Sequence, residues 1–375
     1  MRAKCKIFLC IISIVILDAC KQEYPLPQET RNLNLLVVEG ILNAGQGATV
    51  VRLSRSFDPT VIGNVIPELS AQVTVEGDDN TSFVLTGGPG GEYTHSQLNL
   101  QSTQKYRLRI ETLNGNEYLS DYVPVQPSPA IDSIYWRRNP EGIQIFVDTH
   151  DDQNKTWYYR WEYDETWEIN SEYHSDFQYV NDSVIVRRDP TLIYFCWKSD
   201  NSTSIFLNSS AKLSQDIISG QLLNTVTFGS ERITVRYSIY VTQYALTREA
   251  YQFWEVMKKN TEQVGSLFDP QPSQLISNIH AVNDPNEIVI GYVSAGSVNR
   301  KRHFINRADV EPWRYSTGCE KRDIPLDSLK YFFENYAYIP LAQFYTMRGL
   351  AGYTSSTRFC VDCTTRGTNI RPPFW

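Results

Sequence analysis

Cysteine thiols are the side chains with the widest range of possible chemistry in this chain of 375 residues. A thiol can be acylated, oxidised to a disulfide, bound to a metal or used in redox catalysis. The compartment decides among these uses, so the N-terminus is the first feature to interpret. The seven cysteines form an N-terminal group and a later group, namely Cys5, Cys10 and Cys20, and then Cys196, Cys319, Cys360 and Cys363.

The N-terminus has the pattern of an export signal. Three basic residues precede an apolar run over residues 7–17, which is too short for a bilayer span of about 20 residues. Ala19 then precedes Cys20 in an arrangement that resembles a lipobox, where the signal is cleaved and the new N-terminal cysteine is acylated. We therefore expect residues 1–19 to be a lipoprotein signal peptide and Cys20 to carry the lipid. The alternative is an ordinary cleaved signal with an incidental cysteine.

The four later cysteines predict disulfides, because an even number of cysteines in an exported chain is typical of a disulfide framework. Three pairings of Cys196, Cys319, Cys360 and Cys363 are possible from the sequence alone. A zinc site is the first alternative, but only Cys360 and Cys363 have the spacing of a ligand pair. A redox Cys-x-x-Cys motif is the second alternative, although no βαβ pattern surrounds it.

Composition excludes some functions. Removing residues 1–19 takes away three basic and one acidic residue, which leaves 32 Lys and Arg against 41 Asp and Glu, a formal charge of −9. A chain this acidic, with no basic block, is not expected to bind nucleic acid. The 23 Tyr and 8 Trp, set against 3 Met, favour β-structure over helices.

The sequence contains no catalytic or cofactor motif that we recognise. Its histidines lie in neither an H-x-H nor an H-E-x-x-H arrangement, and the segment Gly291–Gly296 is one residue too long for a nucleophile elbow. Asp148, His150, Asp151 and Asp152 could ligate calcium, but a solvated turn is the favoured interpretation because the glycine and terminal glutamate of a calcium loop are missing. We therefore predict no catalytic residue, no metal site and no cofactor.

An aromatic strand gives the one candidate for ligand binding. Alternation places Trp157, Tyr159 and Trp161 on one face of a strand that begins near residue 156. Such a face can stack against a sugar, and the alternative is that these rings belong to the core. The opposite face of the same strand would carry residues that are more polar, namely Tyr158, Arg160 and Glu162.

The order of the elements predicts two mainly β domains. Residues 20–32 form a polar tether, and short alternating segments over residues 33–128 predict a β-sandwich of immunoglobulin-like or transthyretin-like type. Within it, Asn114-Gly115 is a strong hairpin turn. Residues 129–375 predict a β-rich second domain with one principal helix near residues 248–264 and a cysteine-containing tail.

Two details of the second domain can be compared with a structure. Thr247 is placed to cap the N-terminus of the helix, since its hydroxyl can accept a hydrogen bond from the first turn. Residues 286–298 and 301–307 are expected to pair with each other as a hairpin.

Several of these segments together resemble one family. The segments "LVVEGIL", "IGYVSAG", the block from the helix to "GSLFD" and the tail "CVDCTTRGTNIRPPFW" are similar to Bacteroidetes outer-membrane lipoproteins of domain of unknown function four-two-four-nine. The resemblance extends from about Leu35 to Trp375. It implies an exported lipoprotein, often encoded beside a TonB-dependent receptor, and it carries over no catalytic residues.

We therefore expect a lipid-anchored protein of the outer membrane, at its periplasmic face or at the cell surface. The favoured function is a non-enzymatic binding or accessory subunit, with a TonB-dependent receptor as a possible partner and an unknown ligand. A surface hydrolase acting on glycans and a structural role in envelope assembly are the alternatives. β-Scaffolds with exposed loops are common in recognition, which favours the binding function.

Overall fold

A computed structural model describes residues 34–56, 65–262 and 275–375. The predicted signal peptide, Cys20 and the tether lie outside these residues, as does the "GSLFD" block. Within the described residues, no helix is both long enough and apolar enough to cross a membrane.

The described residues form mostly β-strands, as the alternating sequence pattern predicts. The strands of the first part are β1 (Leu36–Asn43), β2 (Thr49–Arg55), β3 (Ile66–Pro67), β4 (Gln72–Gly77), β5 (Ser82–Gly87), β6 (Glu92–His95), β7 (Lys105–Glu111), β8 (Glu117–Ser120) and β9 (Val123–Gln126). The middle part contains β10 (Ile131–Asn139), β11 (Gly142–His150), β12 (Tyr158–Asn170), β13 (Phe177–Val180), β14 (Ser183–Val186), β15 (Phe195–Asn201), β16 (Phe206–Ser209), β17 (Ile217–Thr227) and β18 (Arg236–Ala245).

The remaining strands are β19 (Ile279–Ala281), β20 (Ile290–Gly291), β21 (Ser294–Gly296), β22 (Val298–Asn306), β23 (Arg322–Pro325), β24 (Tyr338–Thr346) and β25 (Gly349–Thr357). The α-helices of the described residues are α1 (Arg248–Glu262), α2 (Leu329–Phe333) and α3 (Arg358–Val361). Helix α1 begins where predicted, and the Thr247 hydroxyl accepts a hydrogen bond from the Ala250 N–H at 3.2 Å. Residues 263–274 lie outside the description.

The N-terminal strands close into a barrel-like ring. Its hydrogen-bonded order is β7-β4-β5-β6-β2-β1-β21-β9, and β9 pairs again with β7. Every second side chain of a strand points into the ring and fills it. In β7, for example, Tyr106, Leu108 and Ile110 are buried, whereas the residues between them are more exposed. The mainly β class is thus confirmed, and the immunoglobulin-like or transthyretin-like sandwich is not confirmed. Since β20 and β21 come from residues 290–296, the ring is not built from residues 33–128 alone.

The middle part places two sheets around a second core. One sheet has the order β10-β11-β17, and the other has the order β15-β12-β18-β22 with β16 paired to β12. Their buried residues form one cluster that includes Ile145 of β11, Trp161 of β12 and Tyr237 of β18. The predicted hairpin between residues 286–298 and 301–307 is wrong, because β20 and β21 pair with β1 of the ring while β22 pairs with β18.

The tail is held by the cysteines. Strands β23, β25 and β24 form a small sheet. Cys196 is bonded to Cys363 and Cys319 to Cys360, so the predicted disulfides are confirmed. The pairing ties β15 of the middle part to the segment that follows α3.

Candidate functional site

A cleft lies where the ring, the sheet of β12, β18 and β22, and helix α1 meet. It encloses about 640 Å³, within the usual range of small-molecule sites. Strands β1 and β2 of the ring form one wall, helix α1 forms another, and β12, β18 and β22 form the floor. The position agrees with the tendency of ligand sites to occur where structural units meet.

The floor is one face of the sheet, which we call the outer face. Strand register places Arg160, Tyr244 and Val298 in one row across β12, β18 and β22. The next row contains Glu162, Thr242 and Arg300. Residues two apart on a strand share a face, so these two rows point in the same direction.

Arg160 is the most constrained charged side chain of the floor. Its guanidinium carbon lies 4.2 Å from the ring centre of Tyr244 and 4.4 Å from that of Trp254 on helix α1. Both faces of the guanidinium are therefore covered by aromatic rings. At its edge, Nη1 donates to the Glu162 carboxylate at 3.3 Å, while Nε is buried with no hydrogen-bond acceptor among the described residues. The edge thus retains donor capacity.

Glu162 also accepts a hydrogen bond from the Tyr244 hydroxyl. Burial raises the pKa of Tyr244, and the nearby Glu162 charge raises it further. The hydroxyl therefore keeps its proton at neutral pH and remains a donor. This bond and the Arg160 contact fix Glu162 against the floor.

Charges from the ring reach the other side of the cleft. Glu39 of β1 lies opposite Arg52 of β2 in the strand register, and Arg52 forms an ion pair with Glu92 at 2.5 Å. On the floor, Arg300 is exposed and its side chain makes no hydrogen bond or ion pair with the described residues. The lining contains three arginines and two glutamates, and the charge of Arg52 is balanced by Glu92 just outside it.

The helix wall is aromatic and is tied to a neighbouring loop. Phe253 of α1 packs on Tyr292 with ring centres 5.4 Å apart. Near the helix end, the Lys258 ammonium donates to the Ile205 carbonyl at 2.6 Å, and Glu262 accepts from the Ile205 N–H at 2.5 Å. These contacts hold the wall in place beside the floor.

A family described as "Domain of unknown function (DUF4249)" matches residues 21–302. The chain belongs to this family. The whole lining of the cleft, from Val37 to Arg300, lies within the matched residues. The match ends at residue 302, so three of the four disulfide cysteines lie beyond it. A search of curated proteins found no match.

In this DUF4249 chain, the three aromatic residues predicted to bind a ligand, Trp157, Tyr159 and Trp161, are divided between core and surface. Tyr159 and Trp161 are fully buried, and Trp157 is half-buried just before β12. The Tyr159 hydroxyl donates to Asp216 at 2.6 Å, and the Trp161 N–H donates to Gln243 at 2.9 Å. These contacts agree with the alternative interpretation, in which the rings belong to the core.

The residues that line the cleft are on the other face of the same strand. Sequence reasoning described Arg160 and Glu162 only as the polar face and did not select them. Their alternation with buried aromatics was the available signal, since a strand of 13 residues must present its second face to something. The aromatic wall from helix α1 could not be inferred from that alternation.

The possible calcium loop uses its acidic side chains within the protein. Asp148 accepts from the Gly220 N–H at 2.6 Å, and Asp151 accepts from the N–H groups of Gln153, Lys155 and Thr156. The described part of the chain contains no group of three or more residues placed to hold a metal ion. The arrangement agrees with a structural turn.

Proposed function

We propose that this protein is a non-enzymatic binding subunit, anchored by lipid to the outer membrane and working beside a TonB-dependent transporter. The observation that carries the proposal is the cleft of about 640 Å³ with a preformed floor and an aromatic wall. Recognition sites commonly combine apolar walls with a few positioned polar groups. The cleft supplies both, through Phe253 and Trp254 on the wall and Arg160 and Arg300 on the floor.

The rest of the chain has a role in this proposal. Acylated Cys20 provides the anchor, and residues 20–32 hold the folded part away from the bilayer. We retain the division into residues 33–128 and 129–375 as two units, the first related to a sandwich. The cleft lies between segments of both, so a ligand bound there contacts both units. Such a subunit would deliver its ligand to the transporter.

Affinity purification tests the proposed partner. The full-length protein carrying a C-terminal tag is expressed in its natural host and purified from detergent-solubilised outer membranes. A TonB-dependent transporter is the expected partner. Cys20→Ala is the matched control, because it removes the acylated thiol and should move the protein out of the membrane fraction. Recovery of no transporter, together with turnover of glycans or peptides by the pure protein, would refute the proposal.

A surface hydrolase is the second candidate, and one observation favours it. Glu39 and Glu162 both line the cleft, and a pair of carboxylates is what glycoside hydrolysis requires. If the cleft is catalytic, Glu39→Gln and Glu162→Gln should each abolish glycan turnover, and Glu39→Gln should do so with little change in thermal stability, whereas Glu162→Gln also loses its ion pair with Arg160. Turnover retained by both variants would exclude this candidate at the cleft.

A further inference from the structure

We propose that the cleft binds a small organic anion, with its carboxylate or phosphate group held by the edge of Arg160 and by Arg300. The inference rests on the proposed binding function and adds the chemical class of the ligand. It depends on two arginines that line the same cleft and differ in how they are held.

Arg160 has the geometry of a preorganised anion receptor. Stacking between Tyr244 and Trp254 covers both faces of the guanidinium and restricts its rotation. Hydrogen bonding is therefore confined to the guanidinium edge, where only Glu162 is bonded and Nε has no acceptor among the described residues. A planar fork of donors matches the oxygens of a carboxylate or phosphate. Little side-chain entropy is then lost when an anion binds.

Arg300 supplies a second cation, because its side chain makes no hydrogen bond or ion pair with the described residues and only the Asp164 charge acts on it through space. In the strand register, Thr242 lies between it and Glu162, so the nearest carboxylate of the floor is two strands away. Neighbouring strands are about 4.8 Å apart, which puts this carboxylate's strand about 10 Å from β22. Glu162 is already bonded to Arg160 and Tyr244. Arg300 is thus available to a ligand that contacts Arg160.

The charged side chains of the lining differ in whether they are already paired. Three arginines and two glutamates line the cleft, whereas the whole chain has a formal charge of −7. Arg52 is already paired with Glu92 and Arg160 with Glu162, so Arg300 is the arginine of the lining whose charge is left to attract an anion. Because part of the floor is exposed, added salt should weaken this attraction.

Calorimetry with matched probes tests the inference. The detergent-purified, acylated full chain is titrated with trigalacturonate and with its fully methyl-esterified form, which differ in charge and little in shape. Glucose 6-phosphate and glucose form the phosphate arm. We expect at least one charged probe to bind about tenfold or more tightly than its neutral partner, because hydrogen bonds to charged groups are the stronger ones. The arm that responds distinguishes carboxylate from phosphate.

Variants then assign the effect to the cleft. Arg300→Ala should weaken binding of the charged probe about 10- to 100-fold with an unchanged melting temperature, since this side chain has no partner to lose. Arg300→Lys should be intermediate, because it keeps the charge without the fork. Arg348→Ala is the matched control, since it removes an exposed arginine from the β24–β25 turn.

Three results would overturn the inference. They are equal affinity for charged and neutral probes, no binding of either charged probe, and unchanged affinity in Arg300→Ala. None of them decides the proposed function, which the recovery of a transporter tests separately. Loss of the transporter with anion binding retained would refute the partner and leave the ligand class standing.

Discussion

The outer face of the sheet β12–β18–β22 has two ends with similar residues and different surroundings. At the end near Trp375, Arg302 lies between the rings of Tyr240 and Phe374, at 4.3 and 3.5 Å, and donates to Ser238 at 2.7 Å. At the end near helix α1, Arg300 has no such partners among the described residues. The two arginines are two residues apart on one strand. The difference shows that the covering segment, not the residue type, determines whether an arginine stabilises the fold or is available to a ligand.

The inner face of the sheet extends this comparison to the aromatic residues. Tyr159 and Trp161 are buried with their polar atoms bonded to Asp216 and Gln243. Trp254 lines the cleft and stacks on Arg160. The same residue types thus serve the core on one face and the cleft on the other.

The largest effect should come from the inner face. Trp161→Ala should lower the free energy of unfolding by about 3–5 kcal/mol, because it leaves a cavity and removes the donor to the Gln243 side-chain oxygen. Urea unfolding followed by circular dichroism measures the change. Trp157→Ala is the matched control and should cost much less, since Trp157 is only half-buried. Equal costs for the two variants would contradict the division between core and surface.

A large effect is also expected from the disulfide between Cys196 and Cys363, which ties the C-terminal segment to β15. Cys196 and Cys363 are 167 residues apart, and replacing both with alanine should cost about 2–5 kcal/mol of unfolding free energy. The bond between Cys319 and Cys360 closes a shorter separation of 41 residues, so its loss should cost about 1 kcal/mol less in the chain-entropy model. Chemical unfolding without reductant compares the two double variants. A larger cost for the shorter loop would reject the entropic explanation.

The parts of the fold that were predictable depend on local interactions. Asn114-Gly115 does form the turn of the β7–β8 hairpin, with Gly115 at a φ of 81° that glycine adopts without strain. Thr247 caps helix α1 through a hydrogen bond within one turn. In both cases neighbouring residues determine the conformation.

The closing of the ring was not predictable, because it depends on residues that are far apart in the sequence. β21 is parallel to both β1 and β9, and about 250 residues separate β1 from β21. Parallel pairing leaves no turn signal, so the sequence of residues 290–296 favoured a local hairpin instead. The even number of cysteines likewise predicted disulfides, whereas the pairing depended on how the tail packs against β15.

Only part of the candidate site could be predicted from the sequence, namely the two faces of β12. The alternation of β12 separated the two faces correctly, but it did not indicate which face the rest of the protein covers. Helix α1 covers one end of the polar face only in part, and that arrangement makes Arg160 a cleft residue. A tertiary contact of this kind has no signature in one strand.

The two arginines of β22 allow a smaller and more direct test. Arg302→Ala should lower the unfolding free energy by about 1–2 kcal/mol, since it removes two cation–π contacts and a hydrogen bond to Ser238. Arg300→Ala should change it by less than about 0.5 kcal/mol, as for a surface substitution without partners. Urea unfolding of both variants measures the difference. A stability loss in Arg300→Ala as large as in Arg302→Ala would show that Arg300 is structural and would weaken its assignment to a ligand.

The smallest expected effect is a pH dependence at His303, which follows Arg302 on β22 and by alternation lies on the other face of the sheet. Burial lowers the pKa of His303 below its ordinary value of 6.5, with Lys301 acting in the same direction and Asp309 opposing it. The unfolded chain therefore binds more protons than the folded protein below pH 6.5, so stability should be constant above that pH and fall below it. Measured at pH 7.5 and 5.5, the loss of unfolding free energy on acidification should be smaller in His303→Gln than in the wild type.

His150 is the control with the opposite sign, because its hydrogen bond to Asp132 raises the pKa of His150 and gives stability that is present at low pH. His150→Gln should therefore make the loss at pH 5.5 larger, and a smaller loss in both variants would contradict the assignment.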